Sequence, residues 1–209
     1  MGVCGDANQP SRPRKSPAKA TNRQSLTTRP TSPNASRSQV SNSGNKFCYF
    51  SYGFVPRFRN KLFKVNCVTD ECTELTCRGL DFQNLLTLQV GQDLYGYQHM
   101  GLTSTRFVHI TGLENPAQAK TTEKAAPTIS REFPSPPVCY NNKTIFVTGG
   151  YDPANESGTY FVTVDRYDIS SDRWSAAPAM NAPRAMHHAN VIGDWLYVFG
   201  GTKDTNFML

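Results

Sequence analysis

The sequence predicts an all-β protein of about three four-stranded antiparallel units, some degenerate, behind a disordered basic tail. Three observations predict it. Apolar and aromatic runs of strand length are bounded by glycine turns. The run and its glycines recur at a fixed interval. Net positive charge is confined to the first 46 of the 209 residues.

The best-formed unit ends at Tyr167–Gly201. Trp195 to Phe199 is a continuous apolar run between Gly193-Asp194 and Gly200-Gly201, which reads as a strand buried on both faces. Ala189 to Ile192 precedes the Gly193-Asp194 turn and can pair with it as an antiparallel hairpin, since glycine and aspartate tolerate the left-handed backbone a tight turn requires. Upstream, Tyr160 to Tyr167 is rich in aromatic and β-branched residues. Asp168 to Asp172 is a polar turn, and Trp174 opens a short fourth strand.

The pattern repeats. Gly200-Gly201 recurs 51 residues earlier as Gly149-Gly150, and Leu196-Tyr197 recurs as Ile145-Phe146. One step further back, Leu94-Tyr95 holds the same place, Gly91 stands for Gly193, and the double glycine is replaced by Gln98-His99. The same shift sets Val65-Asn66 under Tyr167-Asp168 and Cys72 under Trp174. Thr105 to Thr111 reads as the third strand of the middle copy, comparable with Thr159 to Val164. A period of this length signals a repeat architecture in which neighbouring units bury one another.

These residues resemble the kelch repeat: Gly149, Gly150, Tyr167, Asp168, Trp174, Arg184, His187, Gly200 and Gly201 stand in its order and spacing. The resemblance is clear over Val138 to Gly201. It implies a β-propeller whose blades are four-stranded sheets, with His187 structural. Propellers close with about 4 to 8 blades, whereas Phe47 to Leu209 has room for roughly three. The expectation is therefore a fragment of a longer propeller, with self-association to close the ring as the other reading.

The expected organisation is a disordered tail over 1–46, degenerate blades over 47–113, an Ala/Pro-rich loop insertion over 114–137, and the well-matched repeat with the start of the next over 138–209. The tail carries eight basic residues against Asp6 alone. With Leu26 and Val40 as its few large apolar side chains, it cannot bury enough surface to offset its ordering entropy. Gly2 and Cys4 suggest dual acylation, although Asp6 stands where that motif has Ser or Thr. Basic residues from Arg12 onward would add attraction to anionic lipid, giving weak membrane-surface contact. The other readings are a solvated linker and, without aromatic stacking residues among the cations, a poor nucleic-acid arm. Ser16-Pro17 and Ser32-Pro33 are candidate phosphorylation sites that would lower the charge.

In the first blade, FCYFSYGF from Phe47 to Phe54 reads as a core strand. Arg57, Arg59, Lys61 and Lys64 interleave with Phe58 and Phe63, which suits a strand with one wet face. Cys67, Cys72 and Cys77 are evenly spaced, unlike the tight pairs of zinc sites; Cys72 is expected to be a small buried apolar residue. No apolar N-terminal leader or membrane-length run is present in the sequence. The reading is cytoplasmic, with free thiols and with the sequons at Asn34, Asn142 and Asn155 unused.

No catalytic constellation is legible among His99, His109, His187, His188 and the carboxylates. The functional reading is a protein–protein interaction module, a scaffold or adaptor of kelch type with an unknown partner, cytoskeletal proteins being among the candidates, no cofactor and no nucleic acid. The alternatives are a galactose-oxidase-like enzyme with its active site in other blades, and an adaptor tethered to membrane through an acylated N-terminus.

Overall fold

The computed structural model describes residues 36–37, 46–51, 56–77, 79–101, 104–152, 154 and 158–203. Gly2, Cys4 and the tail's phosphorylation candidates lie outside these residues.

Among the described residues every regular element apart from two short 3-10 turns is a strand. The first sheet is β1 (Ser36–Arg37), β2 (Phe47–Ser51), β3 (Lys61–Asn66) and β4 (Cys72–Thr76). The second is β5 (Leu85–Val90), β6 (Asp93–His99), β7 (Thr105–Thr111) and β8 (Lys120–Glu123). The third is β9 (Val138–Tyr140), β10 (Thr144–Thr148), β11 (Val164–Asp168) and β12 (Arg173–Ala177). A hairpin, β13 (His188–Ile192) and β14 (Trp195–Phe199), follows. Each four-stranded sheet is an antiparallel meander in chain order, so successive sheets are copies of one topology. The leading strands of the sheets approach one another along the chain, β5 lying near β1 and β2 and near β9, and β9 near β13.

Strand periodicity explains why the sheets stack. Along a strand, alternate side chains point to opposite faces. In the second sheet one set, Leu85, Leu94, Val108 and Ile110, joins Tyr49 and Leu62 of the first sheet. The other set, Leu88, Tyr95, Tyr97 and Phe107, joins Ile145, Val147 and Tyr167 of the third. The inner strands of the middle sheet are thus packed on both faces, with successive buried positions in β5 and β6, whereas the outermost strand β8 is polar and mostly exposed. Gly96 fits this packing, because a Cβ there would come 2.6 Å from the Leu85 side chain.

Several expectations change. Ser36–Arg37, read as tail, pairs with Phe50 and Ser51 as the edge strand of the first sheet. The stretch 114–137, read as a loop insertion, contains β8, which pairs with β7 from Val108–Glu123 to Thr111–Lys120. An outermost strand is held by backbone hydrogen bonds, so it can lose its tryptophan and persist. β7 corresponds to Val164–Asp168 rather than to Thr159–Val164, and Tyr160 makes only an isolated bridge to Tyr151. The strand Trp195–Phe199 is not buried on both faces: Trp195, Tyr197 and Phe199 are 72%, 49% and 55% exposed along one face. Cys72 is exposed on β4, an outer strand, rather than buried. The basic residues beside the aromatics do not simply alternate away from them, since the Lys64 ammonium lies 4.0 Å from the Phe47 ring centroid and the Arg57 guanidinium 4.6 Å from that of Phe58. No helix among the described residues is long and apolar enough to cross a membrane.

Candidate protein-contact face

The nine motif residues gather in two places. One group clasps sheet to sheet. Tyr167 is fully buried, and its ring lies 5.1 Å from Trp174 and 4.7 Å from Phe107 of the preceding sheet. Trp174 in turn lies 5.0 Å from Phe107, and its indole Nε1 donates to Ala125 O at 2.8 Å. Asp172 completes the clasp by accepting from Ala125 N at 2.9 Å and from the Tyr167 hydroxyl at 2.8 Å. Burial raises the Tyr167 hydroxyl's pKa, and the neighbouring Asp172 raises it further. Asp168 closes the β11–β12 turn by accepting from Ser170 N and Ser171 N at 2.9 and 2.8 Å. Bonds from Ser170 and Ser171 hold its carboxyl at about 2.

The second group lies at the end of the sheets where β10 leaves its sheet and the link from β12 to β13 arrives. Gly149 and Gly201 are required there by crowding. Both have left-handed φ, 59° and 81°. A Cβ would come 2.3 Å from Arg184 O at Gly149 and 2.5 Å from Ala185 O at Gly201. The link passes this close because Gly150 N donates to Arg184 O at 2.8 Å. Arg184 then reaches forward, its Nη1 donating to Gly200 O at 2.8 Å. His187 is 1% exposed, with Nε2 2.6 Å from Thr148 Oγ1, which lies 2.9 Å from Ser135 Oγ. Burial, then the positive Arg184, depress its pKa to about 4, so it is neutral at pH 7.

One central residue escaped the sequence reading. Arg131 is fully buried and donates from Nη1 to Gly149 O at 2.8 Å and from Nη2 to Asp165 Oδ2 at 2.6 Å. Burial pushes the Asp165 carboxyl up, and Arg131 opposes that shift. Arg131 repeats one unit earlier the contact Arg184 makes to Gly200 O. The signal was the arginine ahead of Gly149-Gly150; Pro134 in place of a histidine hid it.

The surface over this framework is apolar. Phe133 and Met186 follow Arg131 and Arg184 at the same distance along the chain, and are 45% and 47% exposed. Both hold positive φ, 47° and 55°. They are joined by a hydrogen bond from Met186 N to Phe133 O of 2.9 Å. The Phe133 ring lies 6.4 Å from Tyr151, which lies 6.1 Å from Tyr160. Met100, 54% exposed, follows His99 as Tyr151 follows Gly150. His99 Nε2 and Glu132 Oε1 are 2.8 Å apart beside this patch.

Consecutive antiparallel sheets of equal topology, packed face to face and joined by a link that crosses a double glycine, define a protein built of propeller blades. The sequence comparison agrees: residues 134–181 match the family model described as Kelch motif, so the chain carries a kelch repeat, a type of module that generally serves protein–protein interaction. The match covers β9 to β12 and the motif residues from Gly149 to Trp174. No curated protein matched the chain.

Proposed function

We propose that this protein is a kelch-type interaction module, a scaffold or adaptor, that meets a protein partner through Phe133, Tyr151, Met186 and Met100. The observation that carries this reading is the pairing of Phe133 with Met186. Large apolar residues are costly in a left-handed backbone, and the exposed half of each side chain gains nothing from burial in the monomer. Two of them at corresponding positions of successive repeats, half exposed and hydrogen-bonded together, fit the anchors of a contact surface. On this reading Gly149, Gly150, Arg184, His187, Gly200 and Gly201 shape the surface from beneath. Tyr167 and Trp174 fix sheet to sheet, Asp168 closes the β11–β12 turn, and none of the nine needs to touch the partner.

The test is a photo-reactive amino acid placed singly at Phe133, at Met186 and at Thr122, an exposed residue of β8 away from the patch. Partners cross-linked from positions 133 and 186 but not from 122, and lost when Met100 and Tyr151 are changed to serine, are the expected result. The same products from all three positions would refute the assignment of this face.

A further inference from the structure

Strand register makes the sheets comparable position by position. Leu94 in β6 and Ile145 in β10 correspond, and opposite them stand Ile110 in β7 and Tyr167 in β11. Opposite those, in the outermost strands, stand Thr121 in β8 and Trp174 in β12. The second sheet therefore has isoleucine and threonine where the third has the Tyr–Trp pair. In the third sheet the Trp174 indole occupies the space against the preceding sheet, 5.0 Å from Phe107. Beside Thr121 the second sheet instead has a pocket of about 180 Å³, lined by its own strands β5, β7 and β8 and by the 79–82 link.

The pocket's floor is Phe82, Leu85, Val108 and Ile110, none more than 4% exposed, with Thr121 on its wall. An apolar cavity of about 150 Å³ is enough for a benzene ring. Its rim is polar, formed by Asp81, Arg106 and Glu123. Asp81 is engaged by Arg59 at 2.6 Å and by Gln83 N at 2.8 Å. Arg106 donates to Gln98 Oε1 at 2.7 Å, and its Nη1 is 3.5 Å from Glu123 Oε1. The Glu123 side chain is 72% exposed, a carboxylate at the mouth able to accept from a ring N–H or O–H.

We propose that this pocket takes an aromatic ring of indole size bearing a hydrogen-bond donor, presented as a tryptophan or tyrosine side chain by a partner protein. The ring replaces what the repeat supplies for itself in the third sheet: its face rests on Val108 and Ile110, and its donor meets Glu123. The identity of the source as a protein rests on the interaction-module reading; the ring specificity of the pocket does not.

The experiment is methyl NMR of the full chain titrated with free indole, then with 1-methylindole and with N-acetyl-tryptophanamide. Indole should move the Leu85, Val108 and Ile110 methyl resonances saturably, with a Kd on the order of 1 mM for a fragment of this size. 1-Methylindole, which cannot donate, should bind severalfold more weakly. N-acetyl-tryptophanamide should enter as indole does. Thr121→Trp should fill the pocket, weaken indole binding at least tenfold and raise the unfolding temperature. The proposal is overturned if indole leaves those methyls unmoved well above that concentration, or if a folded Thr121→Trp binds indole as the wild type does. Equal binding of 1-methylindole overturns the acceptor role of Glu123, and exclusion of N-acetyl-tryptophanamide overturns the side-chain source. The wild-type titrations need no variant to fold. They also stand apart from the cross-linking at Phe133 and Met186, so failure of either reading is visible by itself.

Discussion

Replacing Arg131 by methionine should be among the most damaging single changes in the third sheet. The guanidinium is 0% exposed in its side chain and Asp165 is 5% exposed, with 2.6 Å between Nη2 and Oδ2. Methionine keeps much of the stem's packing but leaves the Asp165 carboxylate buried without its counter-charge, and Gly149 O without its donor. Breaking a buried pair from one side costs about 3–5 kcal/mol. Replacing both charges by apolar residues removes the desolvation penalty as well, so Arg131→Met/Asp165→Leu should lie within about 1 kcal/mol of wild type. Protonation of Asp165 neutralises the stranded charge. Its folded pKa is raised, so in the single variant the folded state binds the proton more readily, and the deficit against wild type should shrink as pH falls below 7. Urea denaturation followed by tryptophan fluorescence and by circular dichroism measures all of this. A single-variant loss under about 1 kcal/mol, or a double-variant loss equal to the sum of the singles, would refute a buried, mutually dependent pair.

His187 has a folded pKa of about 4 against an ordinary 6.5, so the unfolded chain binds the extra proton between those values. Stability is therefore full above pH 6.5 and falls as pH drops towards 4, by about 3 kcal/mol at roughly 1.4 kcal/mol per unit; His187→Gln should flatten that part of the pH–stability curve, and an unchanged slope would contradict the burial argument. Trp174→Phe should cost about 1 kcal/mol for the lost bond to Ala125 O, and Trp174→Ala about 2–3 kcal/mol because the ring is only partly buried; equal losses would mean that the ring packs nothing. Gly149→Ala should cost at least about 2 kcal/mol on thermal or urea unfolding, from left-handed strain and a clash with Arg184 O, whereas Gly193→Ala, with open space at its Cβ, should cost only about 1 kcal/mol.

Local composition determined a good deal. The hairpins Leu85–His99, Val138–Thr148 and His188–Phe199 were legible because glycine or asparagine turns separate short apolar and aromatic runs of strand length. The recurrence of Gly-Gly and of the apolar pair before it, Ile145-Phe146 and Leu196-Tyr197, gave the repeat length and hence the sheet count. Val65 opposite Cys72 and Tyr167 opposite Trp174 keep the register that the sequence shift implied. β8 was hidden because an outermost strand needs neither a tryptophan nor an apolar face, only a neighbour whose backbone it can pair with.

Only the tertiary structure decided what these residues meet. Arg131 is polar in sequence and belongs to no conspicuous pattern, yet packing places it at the centre of a buried network, because the link that carries it crosses the end of the third sheet, where Gly149 O, Thr163 O and the Asp165 carboxylate accept from it. Trp195 and Trp174 are equally apolar by composition, yet one is 72% exposed and the other closes on the sheet before it. The exposed ridge of Phe133 and Met186 and the pocket beside Thr121 follow from comparing sheets in space rather than from residue type. Sequence sets the period of a strand and the chemistry of a turn because those depend on neighbours along the chain; burial, charge pairing and vacant volume depend on which faces of distant strands are pressed together, and that is fixed only when the sheets stack.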